Sequence, residues 1–504
     1  VGNDYLEASR VFHELTKHSY TSVRSSPHYL DWDIKPMPYK IYPSAGALAL
    51  PRDLALPRTP ALSVIADDGY GNSGTALGAD NLTRILFCAD GLTRARKVGG
   101  EDYHFRAAAS AGALYPVELY IAAAQCDGIE PGLYHFSPAD LKLRGLRRGD
   151  WRGYLARAAA MRASIADARA VVIMTSIFWR STWKYRARGY RYCFWDTGTI
   201  AANLLACAAA EDLSAEVITA FVDSDLEKLI GVDGEREGVT AMIALGEGCA
   251  AGEEPPAPGP LAIDSIALSP REVTYPEAMK IHSESGLQTD AQVRAVASAQ
   301  MDSAERSRHG AIVRPATIAP EEAMGLGETI LARGSTRVFA REAIGAAELA
   351  TIMGASSRHV RSDFPCLTDT YLIVNAVDEM EPGAYYFHRE AAGFELIRPG
   401  DFRAEAGYLC LEQPLGMDCS ALIVYMADLE RTLGALGNRG YRDVHLEAGI
   451  LGGRAYLASY ALGRGATGLT FYDDDTAKFY APHAAGKSPL LMVAIGVPKR
   501  RTEP

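Results

Sequence analysis

The chain has 504 residues, 48% hydrophobic and 22% charged, which is enough for two or three domains with separate cores. Its formal net charge of −11 argues against sequence-independent nucleic-acid binding, which needs a basic surface. No apolar run approaches a bilayer span, and the opening Val1-Gly2-Asn3-Asp4-Tyr5 does not read as a signal peptide.

Residues 1–60 read as an irregular N-terminal arm, because Pro27, Pro36, Pro38, Pro43 and Pro51 break long helices. Residues 78–90 are predicted helical, with Leu82, Ile85, Leu86 and Ala89 on one face. Ser110-Ala111-Gly112-Ala113-Leu114 follows, a small-residue loop whose backbone a flat ligand can approach closely. Tyr115-Pro116 stops any helix, and Val117–Ile121 alternates like a half-buried strand. Further strands are expected at Gly132–Phe136, Ala168–Ser176 and residues 238–246, with helices at Trp151–Met161 and Thr199–Ala210. Residues 249–275 are rich in proline and mark the best domain boundary, an extended solvated linker between a first domain (61–248) and a second (276–504). Eight cysteines, scattered without a CxxC pair, predict reduced thiols in a cytoplasmic protein rather than a disulfide frame or a metal site.

The second half repeats the first. Glu130-Pro131-Gly132 returns as Glu381-Pro382-Gly383, Gly149-Asp150 as Gly400-Asp401 and Gly189-Tyr190-Arg191 as Gly440-Tyr441-Arg442, each 251 positions later. Two copies at so long a period indicate a duplicated domain and not a solenoid.

The loop at 110–116 resembles that of SagB-type azoline dehydrogenases, a branch of the FMN-dependent nitroreductase superfamily. Trp183-Lys184-Tyr185-Arg186, Gly189-Tyr190-Arg191-Tyr192, Asp196-Thr197-Gly198 and His13-Glu14-Leu15-Thr16-Lys17 continue the resemblance; Thr199 departs from it, where the family often has histidine. The resemblance implies an α+β fold of two nitroreductase-like domains, fused so that one chain, even as a monomer, forms the pseudo-dimer whose interface binds FMN. In the second half, Arg333, Ser335 and Arg337 resemble the superfamily's Arg-x-Ser-x-Arg phosphate clamp, and Lys499-Arg500 follow the last strand where the family adds positive charge.

The halves differ in a complementary way. Aligned through Asn81-Leu82 and Glu348-Leu349, an offset of 267, the clamp falls opposite Ala66, Asp68 and Tyr70. The loop Ser110–Pro116 falls opposite Arg361–Leu367, and Trp183-Lys184-Tyr185 opposite Gly434-Ala435-Leu436. One FMN per chain is therefore expected, with phosphate on Arg333, Ser335, Arg337, Lys499 and Arg500 and the ring against Ser110–Leu114. Gly468-Leu469-Thr470, expected as a turn, is a further cofactor contact. By resemblance Lys184 and Tyr185 act as the base that accompanies hydride loss to flavin N5. Lys184 also stands in the run Arg180, Lys184, Arg186, Arg188, Arg191, which would suit an anionic substrate instead. The implied substrate is an azoline-like heterocycle in a peptide or small molecule. An NAD(P)H-dependent nitro- or quinone reductase and a degenerate scaffold subunit are the competing readings.

Overall fold

The computed structural model describes residues 2–67, 69–71, 74–98, 101–253, 255–301 and 310–499. Each half is built on an antiparallel sheet of seven strands, flanked by helices. In the first sheet the spatial order is Gly46–Ala49, Lys142–Arg148, Gly132–Ser137, Val117–Ala123, Ala170–Ile177, Glu237–Leu245, Ala215–Ile218. The second sheet has the same order: Ile312–Val313, Gly393–Pro399, Gly383–His388, Asp369–Val374, Ala421–Ala427, Ser488–Gly496, Gly465–Leu469. The fold is α+β and built of two like-ordered units, as expected. Strand Val117–Ala123 is buried at every residue rather than half-buried, because it lies in mid-sheet with both faces covered.

The halves meet along two long helices, Gly189–Ala210 and Arg439–Ala461. The first begins ten residues before its predicted start at Thr199. Its added turns carry buried aromatics all round, so no amphipathic stripe announces them. The helices cross at Gly198 and Gly449, 251 positions apart in sequence. A Cβ on Gly198 would stand 2.6 Å from the Gly449 Cα, and one on Gly449 2.5 Å from the Trp195 carbonyl oxygen. Only hydrogen at both positions lets the backbones approach this closely.

Beside the crossing, each half sends two buried arginines to a buried aspartate of the other. Arg188 and Arg191 reach Asp473 at 2.8 and 3.0 Å. Arg442 reaches Asp223 at 2.7 Å, and Arg439 pairs with the same carboxylate. The N-terminal arm enters this scheme. Residues 7–15 form a helix, because the arm's prolines all lie beyond it. Arg191 donates to the His13 carbonyl and Thr16 hydroxyl as Arg442 donates to the His282 carbonyl and Ser285 hydroxyl. Helix Glu7–Leu15 is thus the counterpart of Pro276–Glu284. The described residues of the intervening segment from 249 to 275 form no helix or strand, and part of it lies along the arm through Met37 N to Leu268 O (2.9 Å) and Ile266 N to Ile41 O (2.9 Å).

A Leu at position 449 has backbone, not a movable side chain, in its way. Gly449→Leu is expected to cost at least about 3 kcal/mol of stability or to prevent folding. Gly354→Ala, in a helix with nothing within 4 Å of the new Cβ, is expected to stabilise by roughly 0.5–1 kcal/mol. Thermal and chemical denaturation of the two variants checks both signs.

Candidate functional site

A cavity of about 860 Å³ opens where the halves meet, lined from the first half by Ser110–Ala113, Lys184, Tyr185, Tyr192, Trp195 and Asp196 and from the second by Arg333–Ser335, Arg337, Tyr456 and Thr467–Thr470. The structure therefore brings Ser110, Ala111, Gly112, Ala113, Lys184, Tyr185, Arg333, Ser335, Arg337, Gly468, Leu469 and Thr470 to one cleft. Leu114 and Lys499 are not part of its lining; the Lys499 amide instead pairs with the Val338 carbonyl beside the clamp segment (3.0 Å). Arg500 and Asp68 lie outside the described residues.

The loop is held in a rare backbone conformation. Gly112, Ala113 and Tyr115 have φ of +65°, +53° and +49°, a region costly for the two non-glycine residues. Asp196 fixes it from beneath: its carboxylate accepts from the Ser110 hydroxyl (2.5 Å) and the Ala111 amide (3.0 Å). The Tyr115 amide in turn donates to the Ser110 hydroxyl (2.9 Å). Thr199, the departure from the family pattern, donates to the Ala109 carbonyl (2.6 Å). Arg333 reaches across from the second half and donates to the carbonyls of Arg106 (2.5 Å) and Ala108 (3.2 Å), so this arginine clasps the loop. Its Nε, buried, has no hydrogen-bond partner.

Lys184 and Tyr185 end the helix Phe178–Tyr185, where Arg186 turns to φ +53°. A Cβ on Gly112 would lie 2.6 Å from the Tyr185 hydroxyl and 3.1 Å from the Lys184 ammonium. The glycine thus keeps these two groups over the loop. Burial, and then the nearby Arg337 guanidinium, holds the Lys184 ammonium below its ordinary pKa. Burial pushes the Tyr185 phenol well up, so it stays protonated. Tyr185 packs edge-on to Tyr192 (4.6 Å), which stacks on Trp195 (4.4 Å). On the second-half wall, Gly468 and Leu469 lie in the edge strand Gly465–Leu469 rather than in a turn, and only Thr470 lies beyond it. The Tyr456 hydroxyl accepts from the Gly468 amide and lies 3.4 Å from the Ser335 hydroxyl, tying the clamp to that edge. Tyr456 and Tyr460 are four apart on one helix face, a spacing that could have singled them out in the sequence. The Asp196–loop bond is long-range and carried no spacing signal.

Two regions were expected to have lost these parts, and they meet each other. Residues 361–363 lie against Val217, the counterpart of Gly468: the Val217 amide donates to the Arg361 carbonyl (2.9 Å) and the Asp363 amide to the Val217 carbonyl (3.2 Å). Arg361 donates to the Gly69 carbonyl (2.9 Å) and lies 4.5 Å over the Tyr70 ring. Protein fills the place of a second cleft.

The nitroreductase family profile matches residues 75–247. A candidate nitroreductase of Methanocaldococcus jannaschii is 30% identical over 151 residues, covering 30% of this chain and 73% of that protein. The chain belongs to the nitroreductase family, a family of oxidoreductases. A crystal structure of another candidate nitroreductase, from Anabaena variabilis, superposes with TM-score 0.78 at 26% identity, covering 98% of this chain and 99% of that one. This nitroreductase-family chain thus has a structural relative with which it aligns through both halves.

Burial pushes the Asp196 carboxyl up to about 7 from 3.8. The folded chain then keeps a proton that the unfolded chain has released, so this group's contribution is complete below pH 3.8 and is lost as pH rises through about 7. Thermal melts across this range are expected to show the wild type falling relative to Asp196→Asn as pH rises.

Proposed function

We propose that the chain is an FMN-dependent oxidoreductase of the SagB type with one flavin site, built by the loop of the first half and the clamp of the second. The observation that carries this reading is the single cleft in which the two complementary sets of residues converge. Its size is in the range of cofactor pockets. The fit also rests on the orphaned Nε of Arg333 and on Gly112, whose missing side chain lets Lys184 and Tyr185 sit close over the loop.

Ser335 and Arg337 would hold the phosphate, with Lys499 next to the clamp segment, while Arg333 mainly positions the loop. Ser110–Ala113 and the edge at Gly468–Thr470 would flank the ring. When bound, FMN supplies hydride transfer at N5. Lys184, its pKa lowered, takes the substrate proton that accompanies hydride loss, and the protonated Tyr185 hydroxyl holds the reacting heteroatom by donating to it. Tyr192 and Trp195 exclude water from one side. The cleft is lined from both sides of residues 249–275, so both halves are needed to build it. The family's name favours one competing activity, reduction of a nitro or quinone substrate by NAD(P)H in the same cleft.

Purified chain is expected to bind one FMN by absorbance; two equally tight sites, or none, refute the reading. Arg337→Ala is expected to weaken FMN binding by about ten- to hundredfold. Lys184→Gln is expected to lower turnover of an azoline peptide by about a hundredfold or more while the flavin stays bound. Rapid bleaching of the flavin by NADH, with no oxygen uptake on an azoline peptide, selects the reductase.

A further inference from the structure

The interval between the two halves is 267 at the helices Ala79–Asp90 and Ala346–Ser356 but 251 at the strands that follow. The difference is an insertion in the first half, the hairpin Leu92–Val98 and Glu101–Arg106. It lies over the open cleft, where Arg94, Arg96 and Phe105 join the lining. Arg94 docks it by donating to the Arg333 carbonyl (3.0 Å). Arg96 is exposed and has no hydrogen bond or ion pair among the described residues.

Arg96 is not alone. Lys184 and Arg337 line the same cavity, and neither has a carboxylate partner among the described residues. Among the described residues the one acidic side chain in the lining, Asp196, is turned to Ser110 and Ala111. A chain of net charge −11 thus concentrates uncompensated positive charge in one cleft. A flavin phosphate at Ser335 and Arg337 would leave Arg96 unmatched, on the element that only this half possesses.

We propose that the inserted hairpin recognises an anionic group, a carboxylate or phosphate, on the molecule that binds beside the flavin, with Arg96 as its ligand. This rests on the flavin reading above. A guanidinium pairs with either anion through two parallel N–H bonds, and the partly enclosed cleft screens the pair less than open water does.

The test uses FMN-loaded full-length chain and two matched probe pairs. Para-nitrobenzoate and para-nitrobenzamide differ in charge at one group, and NADPH and NADH differ by one phosphate. Affinities are read from the perturbation of bound-flavin absorption, with the dinucleotides measured as their oxidised forms. The anionic member of at least one pair is expected to bind about tenfold tighter, a preference that weakens with salt. In Arg96→Gln that preference is expected to shrink to about twofold or less with flavin content unchanged, and Arg96→Lys is expected to restore part of it. Preference within the nitroaromatic pair assigns the anion to the substrate; preference within the dinucleotide pair assigns it to the hydride donor. A flavin-loaded chain with no preference in either pair, or a preference that survives Arg96→Gln, overturns this proposal alone. A chain that takes up no flavin overturns the flavin reading and this proposal with it.

Discussion

The contact between Gly198 and Gly449 sets the geometry of everything else. Two helices can approach to backbone contact only where neither carries a side chain, and this pair does so at equivalent points of the two halves. The crossing fixes how one sheet sits against the other, and with it the separation of the loop at 110–115 from the segment at 333–337. Trp195 and Asp196 stand within one turn before Gly198, so the cleft floor and the loop's anchor are part of the same helix–helix contact. Displacing the crossing would move both walls of the cavity at once.

The buried arginines give the crossing its specificity. Asp473 with Arg188 and Arg191, and Asp223 with Arg439 and Arg442, are mirror copies of one arrangement across the interface. Burying such charges is costly, and replacing them with apolar groups can leave a protein as stable or more so. Their geometric effect is different. Each aspartate also accepts from a backbone amide, that of His18 (2.8 Å) or Leu287 (2.9 Å), which lies just beyond the opening helix of a half. The four arginines therefore fix the helix pair and both opening segments relative to one another.

Much of this was legible because the two halves keep one spacing. Strands at 132, 170 and 237 recur at 383, 421 and 488, and the repeated Glu-Pro-Gly and Gly-Tyr-Arg words already indicated that interval. The opening helix was not legible, because its copy lies at an interval of 269 that no shared word marks. The start of the long helix was hidden by its aromatics, which suit a buried helix on every face and so show no period. At the cleft, residues with chemistry in their names were found: lysine, tyrosine, arginine, glycine. Those that act by holding others, Asp196 and Tyr456, were not recognised as such. Their partners are far away in sequence, and a carboxylate under a loop looks like any buried acid until the loop is seen.

Two unlike halves in one chain also let one cleft be filled without change to the other. In a symmetric dimer every residue appears in both sites, so any change is felt twice. Here each cleft draws its loop from one half and the facing segment from the other. Changes at 361–367 and at 66–70 fall on the same cleft, and the structure shows those segments touching through Arg361, Gly69 and Tyr70. What fills that place is ordinary backbone pairing: residues 361–363 extend the sheet edge at Val217, and Asp363 takes the amides of Thr219 and Ala220 at 2.9 Å each. An open sheet edge there would leave amides and carbonyls facing water or unpaired; residues 361–363 satisfy them. The corresponding edge at Gly468 is still open to its cavity, with its amide held by a tyrosine hydroxyl rather than by another strand. The closed edge and the open one are the same position in the two halves: one pairs with the chain's own residues 361–363, and the other faces the cavity.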